Sequence, residues 1–193
     1  MRLPAALAAV LLLAPAASAA AASGRSDAPR MAPDTLDAAA VADTLADPVA
    51  QLRGRRLTLP VEGVAPEALR DDFFQPRSGG RVHHAIDILA PRGTPVVAVE
   101  DGTILRTSPA AGDAGILVQQ LDSSGRYVYA YAHLERWASW IAEGMKVFRG
   151  QVLGYVGSTG NATTPHLHFT IAPVGPDGRP SRSVRLNPFQ ILR

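Results

Sequence analysis

Pro165-His166-Leu167-His168-Phe169-Thr170-Ile171 has the alternation of a β-strand. Successive strand side chains point to opposite faces, so Leu167, Phe169 and Ile171 share one face and His166 and His168 the other. The apolar face anchors the strand in a core and the histidine face opens on a cleft; taken alone, the pattern also describes exposed polar positions of a half-buried strand. Outward from this segment, residues 57–61, 94–99, 103–106, 116–121, 127–132 and 152–156 are β-branched, aromatic or alternating runs separated by turn residues. Asp101-Gly102 and Ser123-Ser124-Gly125 have the composition of hairpin connections. Together they predict a mainly β fold built on a compact antiparallel sheet. Residues 137–143 predict one or two helical turns ended by Gly144. Between 34 and 53, Leu36, Val41, Leu45, Val49 and Leu52 predict a short N-terminal helical segment broken at Pro48, with a solvated spacer as the alternative.

All five histidines lie in three short segments, and four of them fall where a metal centre could use them. In Arg81-Val82-His83-His84-Ala85-Ile86-Asp87, strand alternation places His83, Ala85 and Asp87 on one face and His84 and Ile86 on the other. An imidazole and a carboxylate so disposed make half of a divalent-metal site; a surface ion pair has the same spacing. In residues 127–133, alternation groups Tyr129, Tyr131 and His133 on one face, an aromatic wall leading to an imidazole. The plain alternative is a histidine at a strand end.

The 193-residue chain is long enough for one well-buried domain plus extra segments. Its formal net charge is +2 and its basic residues are scattered, which argues against nucleic acid as a partner. With no cysteine, any metal must be held by histidine and carboxylate, and a lipid-modified terminal cysteine is excluded. An apolar run to about Ala17 ends in Ala17-Ser18-Ala19, a pattern suited to signal peptidase. It predicts an export signal over residues 1–19, a retained anchor being the alternative. A linker with the short helix (20–56) and a folded domain (57–193) follow, with no stable membrane insertion after cleavage and a periplasmic or cell-envelope location.

Read together, the three histidine segments closely resemble the lysostaphin/LytM-type zinc metallopeptidases, which carry H-x-x-x-D, a later tyrosine-x-His-Leu segment (here Tyr131-Ala132-His133-Leu134) and H-x-H in that order. The resemblance covers about residues 57–171 and includes Gly93-Thr94-Pro95-Val96 and Gly154-Tyr155-Val156-Gly157-Ser158-Thr159-Gly160-Asn161. It implies a compact antiparallel β fold with a narrow substrate groove, Zn2+ bound by His83, Asp87 and His168, and catalytic roles for His133 and His166 on water and the developing oxyanion. It further implies an endopeptidase cutting peptide cross-links of bacterial peptidoglycan, whose peptides are then its partners. A catalytically silent relative that binds wall peptides or regulates an amidase is the competing reading. Ala85 and Thr164 stand where the family commonly has glycine, which bears on groove width and loop shape.

Overall fold

The computed structural model describes residues 47–193; the expected export signal and residues 34–46 of the expected helix lie outside them. Eight strands form one antiparallel sheet: β1 (Ile86–Leu89), β2 (Pro95–Val97), β3 (Gly102–Ser108), β4 (Ile116–Asp122), β5 (Tyr127–Trp137), β6 (Lys146–Val147), β7 (Val152–Val156) and β8 (His166–Pro173). Their order is β1-β8-β5-β4-β3-β6, and β7 joins the far part of β5 to β2.

The long strand β5 organises the sheet because it changes partner along its length. Tyr127 to Ala132 pair with β8, from Tyr127 opposite Pro173 to Ala132 opposite His168. Leu134 to Trp137 pair instead with β7, from Leu134 opposite Val156 to Trp137 opposite Gly154. On the β4 side the register jumps between Ile116 opposite Leu134 and Val118 opposite Tyr131, which leaves an extra residue on β5. This is a bulge, and His133 sits in it with a left-handed φ of 59°.

The alternation expected for β8 is realised: Leu167, Phe169 and Ile171 are fully buried while His166 and His168 are half-buried. Phe169 packs between Tyr129 and Tyr131, with ring centroids 6.3 and 5.3 Å away. The buried tyrosine hydroxyls are satisfied, Tyr129 donating to Glu100 and Tyr131 donating to Gln120 Oε1 at 2.7 Å while accepting from the Val99 amide.

Three local expectations give way to longer-range constraints, whereas Pro48 opens α1 (Pro48–Gly54), where its missing N–H costs nothing, and the Asp47 side chain accepts from Val49 N at 3.0 Å. Leu52 of α1 is fully buried in the core, and α1 packs against α2 (Pro188–Leu192). Residues 57–61 run extended without becoming a regular strand, since Pro60 has no amide to donate; Thr58 N bonds Val99 O, and Val61 bridges Val96. Asp101-Gly102 is not a hairpin turn, because β2 pairs with β7 and not with β3. Gly102 is the first residue of β3, where a Cβ would come within 2.2 Å of Leu121 O. Ser123-Ser124-Gly125, by contrast, does close the β4–β5 hairpin. Residues 137–143 form no helix: Trp137 still pairs with β7, and the Ala138 amide donates to Leu153 O at 2.9 Å, so sheet pairing claims the start of the segment.

Candidate metal centre and its cleft

The sheet register assembles the site. Asp87 of β1 stands opposite His168 of β8, which stands opposite Ala132 of β5. Directly opposed residues of an antiparallel sheet project from the same face, and alanine beneath them keeps that face open. His83 reaches the same point from the segment preceding β1, though not by simple alternation. His84 has a left-handed φ of 53°, which turns the chain so that Ala85 and Ile86 are both buried while His83 and Asp87 still converge. The Ala85 methyl therefore faces the core, and it does not narrow the groove.

His83 Nε2 lies 2.9 Å from Asp87 Oδ1, His168 Nδ1 lies 3.0 Å from the same oxygen, and His83 Nε2 and His168 Nδ1 are 3.0 Å apart. These three atoms can hold a metal ion. A tetrahedral ion bound at 2.0–2.2 Å keeps its donors roughly 3.3–3.6 Å apart, so the set needs to open by only about half an ångström. Two nitrogens and one carboxylate oxygen also fit a borderline divalent cation chemically.

The electrostatics point the same way. Burial disfavours charge on His83, but its contacts with Asp72 and Asp87 outweigh burial and push its pKa up to about 9. Burial likewise opposes ionisation of Asp87, yet hydrogen bonds from His168 and His83 hold its carboxyl well below the usual carboxylate range. The site stabilises positive charge.

His133 departs from the expected face. Alternation would send it into the core with Tyr129 and Tyr131; the bulge and positive φ instead carry its ring to the cleft, with centroids 4.9 Å from His166 and 5.4 Å from His168. Its Nδ1–H donates to Thr159 O at 2.8 Å, which leaves Nε2 as the free ring nitrogen. His166 repeats the arrangement, donating from Nδ1 to Thr164 O at 2.8 Å, a contact to a carbonyl that does not depend on the residue 164 side chain. Its Nε2 approaches Asp87 Oδ1 at 3.6 Å. Burial, outweighing the Thr159 bond, lowers the pKa of His133, and the neighbouring histidines add to the effect.

The cleft around these groups has a volume of about 310 Å³ and is walled by Arg77, Arg81, Asp113, Asn161 and Thr163 as well as the histidines. Three of its features escaped the sequence reading. Arg77 Nη2 donates to Asp87 Oδ2 at 2.7 Å, engaging the oxygen that faces away from the histidines. Arg81 reaches Asp113 Oδ2 at 3.3 Å. Asp72 receives His83 Nδ1 on its backbone carbonyl at 3.1 Å, while its Oδ1 is buried without a hydrogen bond 3.4 Å from the same nitrogen. Arg77 and Asp72 lie ten and fifteen residues before Asp87, inside polar stretches with no periodicity to single them out.

A compact antiparallel sheet carrying a His-Asp-His cluster in a cleft is a candidate metal centre, and comparison with known proteins gives its class. The model of peptidase family M23 matches residues 81–181, and the chain belongs to that family. DD-carboxypeptidase/endopeptidase Mpg of Neisseria meningitidis serogroup B is 43% identical over 89 residues, 46% of this chain and 20% of that protein. Peptidoglycan DD-endopeptidase ShyA of Vibrio cholerae is 35% identical over 107 residues, 54% of this chain and 23% of that protein. The chain thus spans about a quarter or less of the curated relatives it matches. The crystallised catalytic domain of lysostaphin from Staphylococcus simulans is similar with a TM-score of 0.54 at 30% identity, covering 61% of this chain and 84% of that domain. Among the described residues, no helix is long and apolar enough to cross a membrane.

Proposed function

We propose that the protein is an exported zinc metallopeptidase that hydrolyses peptide cross-links of bacterial peptidoglycan in the periplasm or cell envelope. The observation that carries this reading is the convergence of His83 Nε2, Asp87 Oδ1 and His168 Nδ1 within 3.0 Å of one another at the floor of an open cleft. The relatives of Vibrio cholerae named as peptidoglycan DD-endopeptidases support the substrate class.

In this reading His83, Asp87 and His168 hold the Zn2+, which when bound polarises a peptide carbonyl and acidifies water. The remaining steps belong to the protein. Burial holds His133 neutral near pH 7, and its Nδ1–H is committed to Thr159 O, so its Nε2 lone pair faces the cleft as the proton acceptor. His166, anchored the same way through Thr164 O, presents Nε2 on the neighbouring side. Once protonated, that nitrogen donates to the developing oxyanion or to the leaving amine. Both rings are fixed by backbone carbonyls, so they are oriented before substrate arrives.

Purified protein incubated with peptidoglycan sacculi tests this proposal, with released muropeptides followed by mass spectrometry beside a chelator control and His168→Ala. Cross-linked dimers become monomers with the wild type alone. Sacculus binding with dimers persisting after zinc is supplied points instead to a silent groove-binding regulator.

A further inference from the structure

We propose that Arg77, assisted by Arg81, forms a carboxylate-binding subsite beside the metal centre, so that the preferred cross-link is one whose leaving-side amino acid carries a free carboxylate next to the scissile amide. This inference rests on the peptidase reading above and names the feature of the substrate that the cleft selects.

Both arginines are carried on one short loop. Pro76 bridges Val82, and Arg77 N bonds Arg81 O at 2.9 Å, so the loop closes on itself and stands as one wall of the cleft. Arg77 spends one guanidinium nitrogen on Asp87 Oδ2 at 2.7 Å; among the described residues, its Nε and Nη1 have no hydrogen-bond partner. The Arg77 side chain is 37% exposed, and its unused donors lie beside the carboxylate whose other oxygen faces His83 and His168. A planar fork with vacant N–H groups, fixed at one corner, is suited to a second carboxylate.

The charge balance of the cleft leads to the same substrate. Its charged walls are Arg77, Arg81, Asp87 and Asp113, two of each sign, and both acids are paired with the arginines. A divalent cation on the His-Asp-His set therefore leaves the cleft positive, with no unpaired acid to receive a substrate ammonium. The Arg81–Asp113 pair is 58% and 68% exposed and spaced at 3.3 Å, an arrangement that contributes little in water and exchanges readily for a substrate carboxylate.

Covalent geometry supplies the last step. Where the scissile nitrogen belongs to an amino acid with a free α-carboxylate, that carboxylate is only two bonds from the nitrogen. A scissile amide at the metal centre then lays the carboxylate against Arg77. Within a glycine bridge the same position is occupied by a neutral amide, which draws nothing from the vacant donors.

The test uses the full-length, zinc-loaded protein and two synthetic cross-linked peptides that differ only in this group, a free carboxylate against a carboxamide. We expect wild-type kcat/KM to favour the free carboxylate by about tenfold to a hundredfold, the range of a charge-assisted pair. In Arg77→Gln the ratio falls to about one with zinc content unchanged, and Arg77→Lys, which keeps the charge and loses the fork, lies between. A general loss of activity lowers both substrates together and leaves the ratio intact, so the ratio separates recognition from structural damage. Calorimetric binding of the same peptides reads the preference without turnover. Equal treatment of both peptides by the wild type, or a ratio that survives in Arg77→Gln, overturns the subsite. A binding preference that persists while neither peptide is cleaved upholds the subsite and sinks the peptidase reading.

Discussion

Gly157 marks the point where two strands and one catalytic candidate depend on the absence of a side chain. A Cβ there would lie 2.2 Å from Glu135 N, 2.6 Å from Glu135 Cα and 2.6 Å from Leu134 C, all of them backbone atoms that no rotamer change can move. Ordinary contact begins near 3.4 Å, so Gly157→Ala forces the end of β7 away from β5 by about 1 Å, and overpacking of this kind costs about 3 kcal/mol. For a domain of this size that is a fall in Tm of about 10 °C. The displacement reaches the cleft because His166 N bonds Gly157 O at 3.1 Å, so the imidazole follows the strand. A 1 Å misplacement of a reacting group lowers turnover by about a hundredfold. Thermal unfolding by circular dichroism, together with muropeptide release measured well below the variant's Tm, reads both effects. A variant within 0.5 kcal/mol of wild type by the linear urea analysis, with unchanged turnover, defeats the argument that this contact sets the position of His166.

Other consequences are open to direct measurement. Burial alone would raise the Asp122 carboxyl, but bonds from Ser124, Arg55 and the Tyr127 and Arg126 amides outweigh it and lower the pKa. Because the folded value is depressed, the stabilisation is fully present above the unfolded value of about 3.9 and is lost as pH falls through the lowered folded one. Chemical denaturation from pH 7 to pH 2 should show this decline, and Asp122→Asn should cost about 2–3 kcal/mol at pH 7 and flatten it. Asp72→Ala removes the carboxylate beside His83 Nδ1 and should weaken zinc binding, measured by chelator competition, by about tenfold to a hundredfold with Tm little changed. Leu52→Ala empties a buried position of α1 and should cost about 2–4 kcal/mol; an unchanged urea midpoint would show that α1 does not belong to the core.

How much of this the chain disclosed depends on the range of the forces involved. The β8 alternation places His166 and His168 correctly because a buried apolar face leaves a strand no second register. The convergence of His83 with Asp87 was also legible, although its mechanism was not: the left-handed φ of His84 does the work expected of a straight strand. Residue-level alternation fails at His133, because the bulge arises where β5 exchanges β8 for β7, a tertiary event with no local signal. The same kind of competition drew the start of the expected helix at 137–143 into sheet pairing, and it made Gly102 the first residue of β3 instead of part of a hairpin turn. Arg77 and Asp72 stayed hidden because their partners, Asp87 and His83, are brought to them by folding and not by periodicity.

The central claim is a division of labour within one cleft, and bound zinc per chain measures it most directly. Elemental analysis of purified wild type, His83→Ala, Asp87→Ala, His168→Ala, His133→Ala and His166→Ala separates the groups without reference to any substrate. One zinc is expected in the wild type and in the His133 and His166 variants, and loss of zinc in the other three. Retention of zinc by His168→Ala or Asp87→Ala, or its loss from His133→Ala, would contradict that division.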